Sequence, residues 1–142
     1  MANNPNSSDF TVGILGTGAM GRGIAQIMAT GGMQVLLFDT NDGAAEAGRE
    51  FAERMILRAG EKGATSDEEA RAAVARLTVV TQLSDLGGSD LVIEAVLEDL
   101  DIKRKVFTGL EEVVAEDCVL ATNTSSLSVA AIAAALNHPG RF

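Results

Sequence analysis

Apolar residues fall along this chain in short, nearly unbroken runs, separated by longer stretches with helical spacing. The runs at 10–15, 34–38, 78–81, 91–95 and 119–122 do not alternate with polar residues. That pattern predicts strands buried on both faces rather than strands with one wet side. Between them, 19–30 is predicted as a helix with Ile24, Ile27 and Met28 inward, stopped by Gly31 and Gly32. Residues 42–62 read as a long amphipathic helix closed by Gly63. Its apolar stripe is Phe51, Met55 and Ala59, with Ala44, Gly48, Ala52 and Ile56 beside it. Ser66 and Glu69 have capping-box spacing and open a second helix, so the two make a hairpin longer than a minimal crossover needs. Residues 100–116 form another helix with Ile102, Val106, Leu110 and Val113 on one face, and 128–136 is a last, alanine-rich one. The resulting order, βα–βαα–β–βα–βα, predicts an α/β fold: a doubly wound parallel sheet with strand order 3-2-1-4-5 and a helical hairpin after strand 2.

Composition narrows the function. The 142 residues suffice for one domain. Aromatics are only 4% of the chain, so small aliphatic side chains must fill the core. A net charge of −9 speaks against nucleic acid as a partner, because a phosphate-binding face needs clustered Lys and Arg. With one cysteine, Cys118, there is no internal disulfide and no cysteine-based metal site, and the thiol is expected to be buried and inert. No apolar run reaches the roughly 20 residues a bilayer span requires, so no membrane partner is expected. Residues 1–9 lack a basic and apolar leader pattern and are expected to be a disordered lead to a domain at 10–142, in a cytoplasmic protein. At the other end, Pro139-Gly140 signals a turn and Arg141-Phe142 the approach to a further strand. The chain is therefore expected to be a piece of a longer polypeptide.

The strongest chemical signal is Gly16-Thr17-Gly18-Ala19-Met20-Gly21, a GxGxxG between a predicted strand and a predicted helix. Asp39 ends the next strand, at the spacing of a dinucleotide site. In such a loop Gly16 permits the tight turn, Gly18 lets a pyrophosphate approach the backbone, and Gly21 lets the helix close on the strand. Gly23 is expected to extend that close-packed face. The N–H groups around Ala19 and Met20 face the phosphates, with the helix dipole behind them. Asp39 accepts from the ribose hydroxyls and repels a 2′-phosphate. Thr40, Asn41 and Asp42 offer no cation to receive one, so NAD is favoured over NADP.

Three stretches together carry a family resemblance: GTGAMGRGIA at 16–25, DLVIEAVLEDLDIKRKVF at 90–107, and ATNTSSLS at 121–128. In this order and spacing the chain resembles the NAD-binding domain of 3-hydroxyacyl-CoA dehydrogenases, closest to the 3-hydroxybutyryl-CoA type of fatty-acid metabolism and β-oxidation. The resemblance implies that Met20, Asp39 and Lys103 contact the cofactor. Val96, Leu97 and Glu98 match a loop beside the nicotinamide ribose. Ser125 matches a catalytic serine beside both the nicotinamide and the substrate hydroxyl, with Asn123 shaping that loop. From the residues alone, Glu98 and Lys103 read as solvated first-turn positions, and Ser125 or Ser126 as a turn former.

The family's general base is a histidine in a GxHFFNP-like strand beyond the equivalent of Phe142. The only histidine here, His138, precedes Pro139 and does not match it. The whole enzyme implied by the resemblance oxidises 3-hydroxyacyl-CoA with NAD and is a homodimer completed by a helical domain, whereas this chain alone is expected to be inactive. Arg54, Arg58 and Lys62 lie on one helix face, which reads either as solvated ion pairs with the acids around them or as a seat for coenzyme A phosphates, with Lys62 the foremost candidate. Two other classes stay open: a polyol dehydrogenase of the L-gulonate 3-dehydrogenase type, and a non-enzymatic NAD-binding sensor or structural protein.

Overall fold

Val12, Ile14 and Leu15 have at most 2% of their surface exposed because their strand lies mid-sheet with helices on both sides. A computed structural model describes residues 4–142. Its strands are β1 (Thr11–Leu15), β2 (Gln34–Phe38), β3 (Leu77–Val79), β4 (Leu91–Glu94) and β5 (Val119–Thr122). All pair in parallel, in the order β3-β2-β1-β4-β5 expected from the sequence. Val12, Ile14, Val35 and Leu37 face one core, shared with α1 (Ala19–Thr30), α2 (Ala44–Glu61) and α3 (Asp67–Ala75). Leu15, Val92 and Leu120 face a second core, shared with α4 (Leu100–Val113) and α5 (Val129–Ala133). Ser66 and Glu69 close the reciprocal capping box at the start of α3.

The helices turn inward on smaller residues than expected. Gly21, Ala25 and Ala29 form the buried stripe of α1, while Ile27 is 68% exposed; Ile24 and Met28 pack at the margin. On α2 the buried stripe is Ala45, Gly48, Ala52, Ile56 and Gly60, with Phe51, Met55 and Ala59 only partly covered. Small side chains let both helices lie close to the sheet and to each other, which displaces the bulky positions outward. On α4 the buried positions are Lys103, Phe107 and Leu110, and Ile102 is exposed.

Several boundaries also move. β3 ends two residues before the expected Thr81, and α5 is a short helix capped by the Ser128 side chain. A 3-10 helix at Leu83–Gly88, not expected, brings buried Leu86 under the sheet. Pro139–Arg141 is a 3-10 turn, as the Pro139-Gly140 signal predicts, and Phe142 packs edge-on against Phe107 with ring centroids 4.6 Å apart. Glu111 accepts from the Asn137 and His138 amides, which fixes that turn. Of the lead expected to be disordered, 1–3 lie outside the described residues, and 4–9 run as turns in which Phe10 N donates to Ser7 O at 3.1 Å. Cys118 is buried, and burial pushes its thiol up to about 11, so it stays protonated and unreactive.

Candidate functional site

Three loops leave the sheet at one edge, and backbone bonds pin each to the neighbouring strand. Gly16 N donates to Phe38 O at 2.9 Å, Ala95 N to Leu15 O at 2.8 Å, and Asn123 N to Glu94 O at 2.8 Å. This is the carboxyl edge, where doubly wound folds place their ligands. Gly16 has φ +96°, and a Cβ there would lie 2.6 Å from Ala95 O. A Cβ on Gly21 would meet Gly16 O at 1.8 Å. A Cβ on Gly18, by contrast, would meet nothing within 4 Å. The first and third glycines therefore let the protein close on itself, while the second leaves an open cradle of the kind a pyrophosphate needs. Gly18 is also the N-cap of α1 and offers no capping side chain, so the first N–H groups of the helix, at Ala19 and Met20, have no intrahelical partner. Gly23 does not extend the packed face, since a Cβ there also meets nothing within 4 Å.

The cradle joins two depressions. One, of about 530 Å³, is lined by Gly16, Thr17, Gly18, Arg22, Asp39 and Asn41, among others. The Asp39 carboxylate is held at both oxygens. Oδ2 accepts from Thr17 N at 2.8 Å and Thr17 Oγ1 at 3.0 Å; Oδ1 accepts from Asn41 N at 2.9 Å and Asn41 Nδ2 at 3.1 Å. Partial burial pushes its pKa up, but these bonds outweigh burial and hold it below the usual carboxylate value. The group is a fixed anion aimed by its neighbours. The second depression, of about 420 Å³, is lined by Gly18, Ala19, Met20, Val96, Leu97, Glu98, Asn123 and Ser125, together with Ala95. Gly18, Ala95, Val96 and Leu97 line both. The two halves thus adjoin, as the two ends of a dinucleotide require.

Glu98 does more here than line a wall. Its Oε2 accepts from Thr124 Oγ1 at 2.6 Å and Ser126 Oγ at 2.8 Å, and its Oε1 pairs with Lys103 Nζ at 3.1 Å. The two hydroxyls and the ammonium bring its pKa down to about 2. Ser125 sits between the two tethered residues and is exposed at the mouth of the depression. Lys103 departs from the role the resemblance gave it. Its ammonium has no solvent exposure; it pairs with buried Glu94 and Glu98 and donates to Val96 O at 3.3 Å. Glu94 also accepts from Val96 N at 2.7 Å and Thr122 Oγ1 at 2.7 Å. The lysine therefore stands behind the cleft wall and fixes it, rather than presenting its charge to the cleft.

Lys62 lies apart. It is the exposed C-cap of α2 and lines neither depression. Arg54 and Arg58 share a shallow hollow on the outer face of α2 with Glu50, Glu53 and Glu61. Among the described residues none of these three cations has a carboxylate within 4 Å, so the ion-paired reading is not realised. His138 is exposed in the C-terminal turn, away from the cleft. Sequence reasoning missed Arg22, Glu94, Thr17, Thr124 and Ser126. Glu94 was open to detection, because an acid inside the apolar run LVIEA needs a cation to be buried.

With this geometry in place, comparison with known proteins is direct. The family model described as 3-hydroxyacyl-CoA dehydrogenase, NAD binding domain, matches residues 11–142. A 3-hydroxybutyryl-CoA dehydrogenase of Mycobacterium tuberculosis is 40% identical over 131 residues, covering 92% of this chain and 46% of that protein. The crystal structure of (S)-3-hydroxybutyryl-CoA dehydrogenase from Ralstonia eutropha matches with TM-score 0.87 and 36% identity, over 93% of this chain and 47% of that one. A 3-hydroxybutyryl-CoA dehydrogenase structure from Escherichia coli matches with TM-score 0.90 and 38% identity, over 94% of this chain and 28% of that one. The chain spans about half the length of the curated relatives it matches, 46% in the first case. It belongs to the 3-hydroxyacyl-CoA dehydrogenase family, as the NAD-binding domain, and NAD is its cofactor.

Proposed function

We propose that the whole protein oxidises the 3-hydroxyl of a 3-hydroxyacyl-CoA, and that this domain holds the dinucleotide and one wall of the reaction site. The observation that carries the reading is the meeting of the Gly18 cradle, the 96–98 loop and the 123–125 loop around one cleft. When bound, NAD supplies the hydride acceptor. Asp39 receives the ribose hydroxyls, with an Asn41 or Thr17 donor giving way, and its fixed charge favours NAD over NADP. Met20, Val96 and Leu97 give the inner half an apolar lining that limits water. Ser125 Oγ donates to or accepts from the reacting hydroxyl and orients it, while Glu98 holds the loop on either side. His138 does not line the cleft and is not the base, so this chain alone binds NADH without turnover. The relatives' greater length leaves room for a second domain that supplies the base and for homodimer contacts. A lone, buried thiol at Cys118 suits a cytoplasmic protein.

The Arg54, Arg58 and Lys62 face is proposed to meet the coenzyme A phosphates, because these cations carry no ion pair and an acidic protein needs a local positive field for a polyanion. The test is acetoacetyl-CoA reduction by NADH. The 142-residue chain should show no turnover above background. In the full-length protein, Arg58→Glu with Lys62→Glu should raise KM for acetoacetyl-CoA most at low salt and leave KM for NADH unchanged. Absence of acetoacetyl-CoA reduction by the full-length protein would remove the substrate assignment; unchanged acyl-CoA kinetics would return these residues to a solvated face.

A further inference from the structure

Arg22 lies in the second turn of α1, and its side chain faces α2 rather than solvent alone. The guanidinium carbon sits 3.9 Å from the centroid of the Phe51 ring, stacked on it. Its Nε is buried with no hydrogen-bond partner. Among the described residues no carboxylate lies within 4 Å of it, in a chain with 20 acidic residues. Among the described residues it is the only cationic side chain lining the outer half of the cleft, which it shares with Gly18 and Asp39.

A guanidinium stacked on an aromatic face is held in a defined plane, and its fork of N–H donors stays available to a planar acceptor. Leaving a buried donor unpaired is costly, so the arrangement needs an acceptor to complete it. Helical side chains lean toward the N-terminus of their helix and cover the turn before their own Cα. For Arg22 that turn is the Gly18 cradle. The cleft also keeps two opposite charges unpaired: the Asp39 anion, tied back by Thr17 and Asn41, and the Arg22 cation, tied back by Phe51. A carboxylate suits a ribose diol, and a planar guanidinium fork suits a phosphate. We infer that Arg22 is a cofactor-binding residue that takes the pyrophosphate of the dinucleotide, held in place by the Phe51 ring. This rests on the dinucleotide occupying the cleft as proposed above. It adds a side-chain cation to a site where the glycine loop supplies only backbone donors. It also offsets the repulsion between an acidic chain and an anionic ligand.

The experiment is a fluorescence titration of the 142-residue chain with NADH and NADPH over a range of salt concentrations. The proteins are wild type, Arg22→Met, which keeps the stem on Phe51, and Arg22→Lys, which keeps the charge without the fork. Arg22→Met should weaken NADH about tenfold at low salt, the scale of one charge-assisted hydrogen bond. It should also flatten the salt dependence, and Arg22→Lys should fall between the two. A melting curve for each variant separates lost binding from lost fold, and Arg22→Lys carries the test if Arg22→Met is unstable. Equal NADH affinity in wild type and both variants overturns the inference and leaves the dinucleotide reading standing. A loss confined to NADPH assigns the cation to a 2′-phosphate instead and overturns the pyrophosphate assignment. Failure of wild type to bind NADH overturns both.

Discussion

At the scale of single residues, one carboxylate ties the site together. Glu98 joins the loop after β4 to the loop after β5 through Thr124 and Ser126, and to α4 through Lys103. Its pKa falls from an ordinary 4.5 to about 2, first because of the Thr124 hydroxyl, then Ser126 and Lys103. A carboxylate with a depressed folded pKa stabilises the fold fully above its unfolded value and loses that contribution as pH falls through the folded one. Denaturant midpoints measured from pH 6 downward should therefore show a Glu98-dependent decline that begins near pH 4.5 and completes near pH 2. Glu98→Gln should lack that decline and be less stable than wild type at pH 6. Identical acid limbs in the two proteins would mean the clamp does not form in solution. None of this was legible in the sequence, where Glu98 reads as a first-turn acid. The hydroxyls that depress it lie 26 and 28 residues away and meet it only when β4 and β5 pair.

At the scale of elements, the sheet order and the glycine loop were legible because each follows from local signals: unbroken apolar runs, a GxGxxG at a strand–helix junction, and an acid at the end of the next strand. The inward faces of the helices were not. Large apolar residues dominate a periodicity reading, yet α1 and α2 pack through Gly21, Ala25, Gly48 and Ala52. Close approach selects small residues, so Ile27 turns outward. The glycines of α1 give opposite predictions under one substitution. Gly21→Ala places a methyl group against Gly16 O and should cost several kcal/mol or abolish folding. Gly23→Ala meets open space and should stabilise the domain by about 0.5–1 kcal/mol through the helix backbone. Thermal or urea unfolding reads both, and equal signs would contradict the packing described. Lys103 was equally hidden, since a lysine next to Ile102, itself read as part of the apolar face, gives no sign of burial. Replacing one partner of a buried pair strands the other, so Lys103→Met should destabilise by roughly 3–5 kcal/mol. Adding Glu94→Gln should restore part of that loss, and the urea midpoints of the single and double variants would show it.

At the scale of the whole molecule, function depends on three strand ends and the loops beyond them, set side by side by the parallel order. The sequence placed Asp39, the 96–98 loop and the 123–125 loop at strand ends, but not the division of labour between lining and support. Ser125, Asn123 and Met20 line the cleft; Lys103 and Glu94 stand behind it; Lys62 is on another face. A separate cavity of about 390 Å³ between α1, α2 and α3, lined by Gln26, Thr30, Glu69 and Arg76, among others, is the alternative ligand site. The deciding measurement is an NMR titration of the isotopically labelled chain with NADH, following every backbone amide. Shifts should concentrate at 16–22, 39–41, 96–98 and 123–126 and saturate together with one dissociation constant. Shifts concentrated at Gln26, Thr30, Glu69 and Arg76, or no saturable shifts at millimolar NADH, would contradict the assignment of the carboxyl edge as the cofactor site.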